Sequence, residues 1–158
     1  MAEGLVGETA RMARYFTPTV TFFRVPIHAK LVPIPIVCFI GALLTDITYA
    51  NSAVMQWANF SAWLLAFGEI FGVIAAVFGL IDFLMAGAAR PAIGWIHLIG
   101  NAVVLILEGF NNFVHARDAY TSVVPAGLIL SIISVAILAV TGFIGWRMVY
   151  VHVAGDRP

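Results

Sequence analysis

A chain of 158 residues that is 62% hydrophobic and only 10% charged, with a mean hydropathy of +1.01, is too apolar for a soluble domain, whose apolar share is about 45–50%. Its formal net charge is zero and its eight basic residues form no cluster, which removes the electrostatic footprint of a nucleic-acid binder. Cys38 is the only cysteine, excluding an intrachain disulfide, a thiolate zinc site and a paired-cysteine redox motif.

In chain order, residues 1–27 come first and read as an N-terminal cytoplasmic arm. They lack the basic start, short apolar run and cleavage site of a secretory signal, so the first apolar helix is expected to act as its own insertion signal. Within the arm, Glu8 to Phe16 alternates charged and apolar residues at helical spacing. That pattern suits a membrane surface or a partner, and equally a solvated lead-in ended by Thr17 and Pro18.

Four apolar segments follow, at about Val32–Ala50, Ala58–Ala86, Ile93–Val114 and Pro125–Val151, each long enough to cross a hydrocarbon core of about 30 Å. Their short connections force neighbours to run antiparallel. The expected fold class is all-α, an integral membrane four-helix bundle with up-down-up-down topology, residues 28–152 forming the transmembrane domain and 153–158 a C-terminal tail. Arg11, Arg14, Arg24 and Lys30 precede helix 1, Arg90 separates helices 2 and 3, and Arg147 and Arg157 close the chain, with only Arg117 on the other side. By the positive-inside rule both termini are cytoplasmic.

Asp46, Glu69, Asp82 and Glu108 are half of the eight acidic residues, and they fall in or at the edges of these spans, where an ionised carboxylate costs a few kcal/mol. Such groups face a bundle interior and raise a functional-site hypothesis. In helix 3, His97, Asn101, Glu108, Asn112 and His115 follow steps of four, seven, four and three, one stripe at about 100° per residue. Val103, Leu107 and Phe110 form the opposite, apolar face. His28 to Asp46 and His97 to His115 are both eighteen residues apart, five turns or about 27 Å. Because helices 1 and 3 run in the same direction, His28 and His97 are expected together near the cytoplasmic side, with Asp82 at the end of helix 2. Asp46 and His115 are expected together near the outer side, with Glu108 between the two groups in depth.

Gly68, Gly72 and Gly79 lie near the Asp82 face of helix 2 and permit close helix approach. Glu69 points well away from Asp82, toward a partner subunit or the membrane surface. Helix 4 adds a mild polar stripe of Ser131, Ser134 and Thr141, and His152 reads as interfacial and solvated.

Two imidazoles from diagonal helices fill both axial positions of a b-type haem, so His28 and His97 are the candidate iron ligands, with Asn101 beside them. Depth is the obstacle, because His28 stands four residues before the first predicted span and a plain interfacial histidine is the alternative. His28, Asp82 and His97 also suit zinc or iron in chemistry, without the local spacing of a metal motif. Asp46, Glu108, His115 and Asn101 form a candidate proton path for a transporter or quinone site. The bland reading gives Asn101, Glu108 and Asn112 only interhelical hydrogen bonds, at about 0.6 kcal/mol each.

The run Val-Pro-Ile-His-Ala-Lys-Leu-Val-Pro-Ile-Pro-Ile-Val from Val25 to Val37, then Asp46, Gly79-Leu-Ile-Asp82, His97 with Asn101, and His115-Ala-Arg117 resemble DUF2231, a family of four-helix bacterial membrane proteins. The resemblance covers about residues 25–152, and Ala29 stands where the family has a proline. It implies the bacterial inner membrane and an association with redox modules such as Rieske iron–sulfur or cytochrome c domains. The leading expectation is a membrane redox subunit that holds haem b between helices 1 and 3 through His28 and His97 and passes electrons between a quinone and a partner protein. A non-catalytic anchor subunit of a larger complex is the alternative, and a proton-coupled small-molecule transporter the third. Lipid and other protein subunits are the expected partners.

Overall fold

The computed structural model describes residues 21–22, 25–86, 92–116 and 123–148. Four helices are long and apolar enough to cross a membrane: α1, Ile27–Ser52; α2, Met55–Met85; α3, Ala92–His115; and α4, Val123–Trp146. A two-residue ribbon precedes them, with β1 (Thr21–Phe22) paired antiparallel to β2 (Val25–Pro26). Residues 1–20, Arg24, Arg90, Arg117 and His152 lie outside the described residues, and with them most of the cationic pattern that argued orientation.

α1 begins at Ile27 rather than near Val32, because Val32 keeps helical angles (φ −52°, ψ −37°) and joins a first piece, Ile27–Leu31, to a second, Pro33–Ser52. Pro33 and Pro35 have no N–H to give, so the expected start was placed at them. The backbone nevertheless bridges them, through Val32 N to His28 O at 3.0 Å and Ile36 N to Val32 O at 3.3 Å. His28 is therefore a helical residue turned toward the bundle, its side chain 15% exposed. At its other end α1 stops on Ala53 in the left-handed region (φ 54°), and only Ala53 and Val54 separate it from α2.

The buried residues advance by alternating steps of three and four. They are Pro35, Phe39, Ala42 and Asp46 in α1, and Ala58, Ser61, Leu65, Gly68, Gly72, Ala75 and Asp82 in α2, where Phe83 is buried as well, out of this rhythm. In α3 they are Gly94, Val104, Glu108, Asn111 and His115, and in α4 Gly127, Ser131, Ser134, Leu138 and Thr141. A repeat of 3.5 residues is the seam of left-handed bundles, in which side chains of one helix seat between those of the next. Each helix packs along its sequence neighbours and α4 closes against α1, leaving α1 diagonal to α3.

Hydrocarbon gives no hydrophobic drive between helices, so close packing of small residues holds such a bundle together. Phe39, Ala42, Leu65, Val104 and Leu138 form the apolar core at mid-height. The ring of Phe39 reaches this layer over Gly68, and Leu105 folds onto Gly72. The outward faces are apolar, as at Val37, Trp63 and Phe113, which are 69%, 65% and 75% exposed.

A Cβ on Gly68 would stand 2.5 Å from Cε1 of Phe39. Gly68→Ala must displace the ring and is expected to cost about 1–3 kcal/mol, read as a lower melting temperature of the detergent-solubilised protein. Gly142→Ala, whose new Cβ would meet Ile36 at an ordinary 3.9 Å, should leave that temperature unchanged.

Candidate functional site

The mid-height core divides the polar side chains of the bundle into two groups. On one side stands His115, 1% exposed. Its Nδ1 lies 3.0 Å from Asn111 O and its Nε2 2.8 Å from Asp46 Oδ1. A carbonyl oxygen only accepts, so Nδ1 carries a hydrogen. Nε2 and the carboxyl then share one further proton, as imidazolium and carboxylate or as imidazole and carboxylic acid, and the pair is neutral overall in either form. Neutrality is what a site without water demands.

The network continues across three helices. Ser131 Oγ donates to Asp46 Oδ2 at 2.7 Å, and Asn111 Nδ2 donates to Ser131 Oγ at 2.8 Å and to Glu108 Oε2 at 3.1 Å. Asp46, Glu108, Asn111 and Ser131 are all fully buried. The Ser134 hydroxyl stands next to the Glu108 carboxyl, and Asn111 Oδ1 has no hydrogen-bond partner among the described residues.

On the other side of the core, His28, Asp82, His97 and Asn101 line a cavity of about 340 Å³ whose remaining wall is apolar and whose floor includes Phe39, Val104 and Leu138. His28 Nδ1 donates to Asp82 Oδ2 at 2.9 Å, and His97 Nδ1 donates to the backbone oxygen of Thr141 at 2.9 Å. Asn101 Nδ2 donates to His97 O at 2.7 Å and Thr141 Oγ1 donates to Asn101 Oδ1 at 3.4 Å. With a hydrogen on each Nδ1, Nε2 of each ring has a lone pair when the imidazole is neutral. The one amide near His97 Nε2 is that of Asn101 at 3.5 Å, too long to claim it. A carboxylate or carbonyl on Nδ1 is the support that orients metal-bound histidines.

Glycines make the room for these rings. A Cβ on Gly145 would stand 2.6 Å from Cε1 of His97, one on Gly127 would stand 2.8 Å from Cε1 of His115, and Gly79 lies under the His28 ring. The two α4 glycines are eighteen residues apart, as are the two α3 histidines they cradle.

The structure thus gathers His28, Asp82, His97 and Asn101 at one end and Asp46, Glu108 and His115 at the other. Asn101 belongs to the first group and not to a path through the second. Among the described residues no three of His, Cys, Asp and Glu stand close enough to hold a metal ion on protein ligands alone, so His28, Asp82 and His97 do not form a zinc or iron site. Asn112 is replaced by Asn111 as the buried amide, since a 3.5-residue seam steps from Glu108 to Asn111 where a straight helix reaches Asn112 nearly as well. Gly127 and Gly145 escaped the sequence reading, although they continue the Ser131, Ser134 and Thr141 stripe in the same rhythm. Glu69 faces away from Asp82, beside Gly109 of α3 on the outer side of the bundle.

A family model described as a predicted membrane protein family, DUF2231, matches residues 24–158. No curated protein and no solved structure matches the chain.

Truncating one member of the buried Asp46–His115 pair leaves the other without its partner. Asp46→Leu and His115→Leu are each expected to destabilise by about 3–5 kcal/mol, and the double variant by clearly less than their sum, measured by unfolding in bicelles. In the same assay Asn111→Leu should cost more than Asn112→Leu.

Proposed function

The chain belongs to the DUF2231 family, and from the geometry of the cavity lined by His28 and His97 we propose that it is a haem b subunit of the bacterial inner membrane, carrying electrons between a quinone and a partner protein. One observation carries this reading. His28 and His97 come from diagonal helices into one apolar cavity, each with Nδ1 tied to the protein and Nε2 left over. His28 and His97 would hold the haem iron through these nitrogens, and the group would supply a one-electron carrier at this depth.

The roles of the protein's own groups follow from their contacts. Asp82 fixes the tautomer and orientation of His28 and raises the basicity of its Nε2, and Thr141 O does the same for His97. Gly145 and Gly79 let both rings stand close to the helices behind them. Oxidation of a quinol to a quinone releases two electrons and two protons, so the electrons would leave singly to a one-electron acceptor protein of the iron–sulfur or c-type class. The cationic residues around the end that holds His28 and His97 favour its placement on the cytoplasmic side. The apolar layer of Phe39, Leu65, Val104 and Leu138 weighs against the transporter reading, which needs a continuous polar route.

Protein purified from haem-replete cells should show a Soret band and, after dithionite, a sharp α band. His28→Ala and His97→Ala should each abolish the six-coordinate spectrum while His115→Ala retains it; colourless wild-type protein would overturn the proposal. Asp82→Asn should weaken haem binding about ten- to a hundredfold and raise the midpoint potential, because a less basic His28 favours the ferric state less.

A further inference from the structure

On the lipid side of Leu105 lies a second concavity, about 340 Å³, bounded by Glu69 of α2 and by Ile106, Gly109, Phe110 and Phe113 of α3. Three observations give it chemical character. Glu69 Oε2 is buried yet has no hydrogen-bond partner among the described residues, an expensive arrangement at the middle of a membrane helix. Gly109 leaves the space in front of the carboxyl, since a Cβ there would stand 3.8 Å from Glu69 Oε1. Phe110 and Phe113, 62% and 75% exposed, turn the mouth of the groove to the hydrocarbon rather than to the bundle. Leu105 lines this groove and also the cavity that holds His28 and His97.

We propose that this groove binds the ring of an isoprenoid quinol, with Glu69 accepting a hydrogen bond from one ring hydroxyl and Phe110 and Phe113 flanking the ring. The assignment rests on the haem reading for its purpose but not for its geometry. An occupant has to arrive through lipid, be flat and largely apolar, and bring a donor to a carboxyl at mid-membrane. An acyl chain brings no donor, and a phospholipid headgroup stays at the interface, whereas Glu69 sits near the centre of α2 between Met55 and Met85. A quinol satisfies all three requirements. Its position also suits what oxidation would release, because Leu105 borders both the groove and the cavity lined by His28 and His97. Gly109, which faces the Glu69 carboxyl, is preceded in α3 by Glu108, and Glu108 is hydrogen-bonded through Asn111 and Ser131 to Asp46 and His115.

The test is equilibrium binding of decylubiquinol to the full chain in lipid nanodiscs, run on haem-loaded wild type and on haem-free His97→Ala, with folding of each variant checked by its elution profile. One quinol per chain is expected in both, lost in Gly109→Leu and weakened about tenfold in Glu69→Leu, which offers the ring hydroxyl no acceptor. A photoreactive quinone on wild-type protein, which needs no variant, should label the segment from Leu105 to Phe113. Colourless protein that still binds quinol in this pattern sinks the haem reading and keeps the groove. Haem-loaded protein that binds no quinol, or binds it equally well in both groove variants, overturns the groove. So does conversion of a dimer to a monomer by Gly109→Leu with quinol binding intact, which would give the groove to a second copy of the chain.

Discussion

Hydrocarbon offers no hydrogen bonds, so a polar side chain in a spanning helix is tolerable only where another helix answers it. In this bundle that requirement is met by one line per helix, the 3.5-residue seam. α3 places His97, Asn101, Glu108, Asn111 and His115 on that line and leaves its other faces to lipid. The facing helices α2 and α4 answer with residues that are small where a bulky group must fit and polar where a partner is needed. Gly145 and Gly127 accept the two imidazoles, and Thr141 and Ser131 supply oxygens beside them. A single step out of register on any helix would set a charge against lipid and a methyl group against a carboxylate.

The apolar layer of Phe39, Leu65, Val104 and Leu138 gives the two polar ends different characters. Beyond it, toward His115, the space is filled by side chains that bond to one another. Toward His28 the same length of bundle encloses a cavity, because Gly72, Ala75 and Gly79 replace what could have been filling side chains on α2. The difference lies in α2 more than in the helices that carry the histidines.

Much of this was legible in the sequence because the rise of a helix is constant. Equal spacings of eighteen residues on parallel helices predicted Asp46 beside His115, and they meet at 2.8 Å across 69 residues of chain. Azimuth was less legible than depth. Between Asn111 and Asn112 the choice depends on whether the helix is straight or supercoiled, and the sequence of α3 taken alone does not say. The start of α1 was obscured by Pro33 and Pro35, whose missing N–H groups look like a break until the backbone is seen to close around them. Gly127 and Gly145 carry no chemistry of their own, and their value exists only opposite the rings they admit.

Two histidines on one face of one helix would have equal standing from sequence, and their hydrogen bonds separate them. His115 has both nitrogens engaged, one with Asn111 O and one with Asp46, so binding an iron there would first require breaking a buried pair. His97 has one nitrogen engaged and the other beside a cavity into which His28 also projects, similarly half-engaged. Ligation at that end breaks no strong hydrogen bond, and the existing ones hold both rings in the tautomer that a metal needs. The choice between the two ends thus depends on which ring nitrogens are already engaged, and at this end Asp82 and the backbone at Thr141, neither of which is on the helix that carries His97, engage Nδ1 alone.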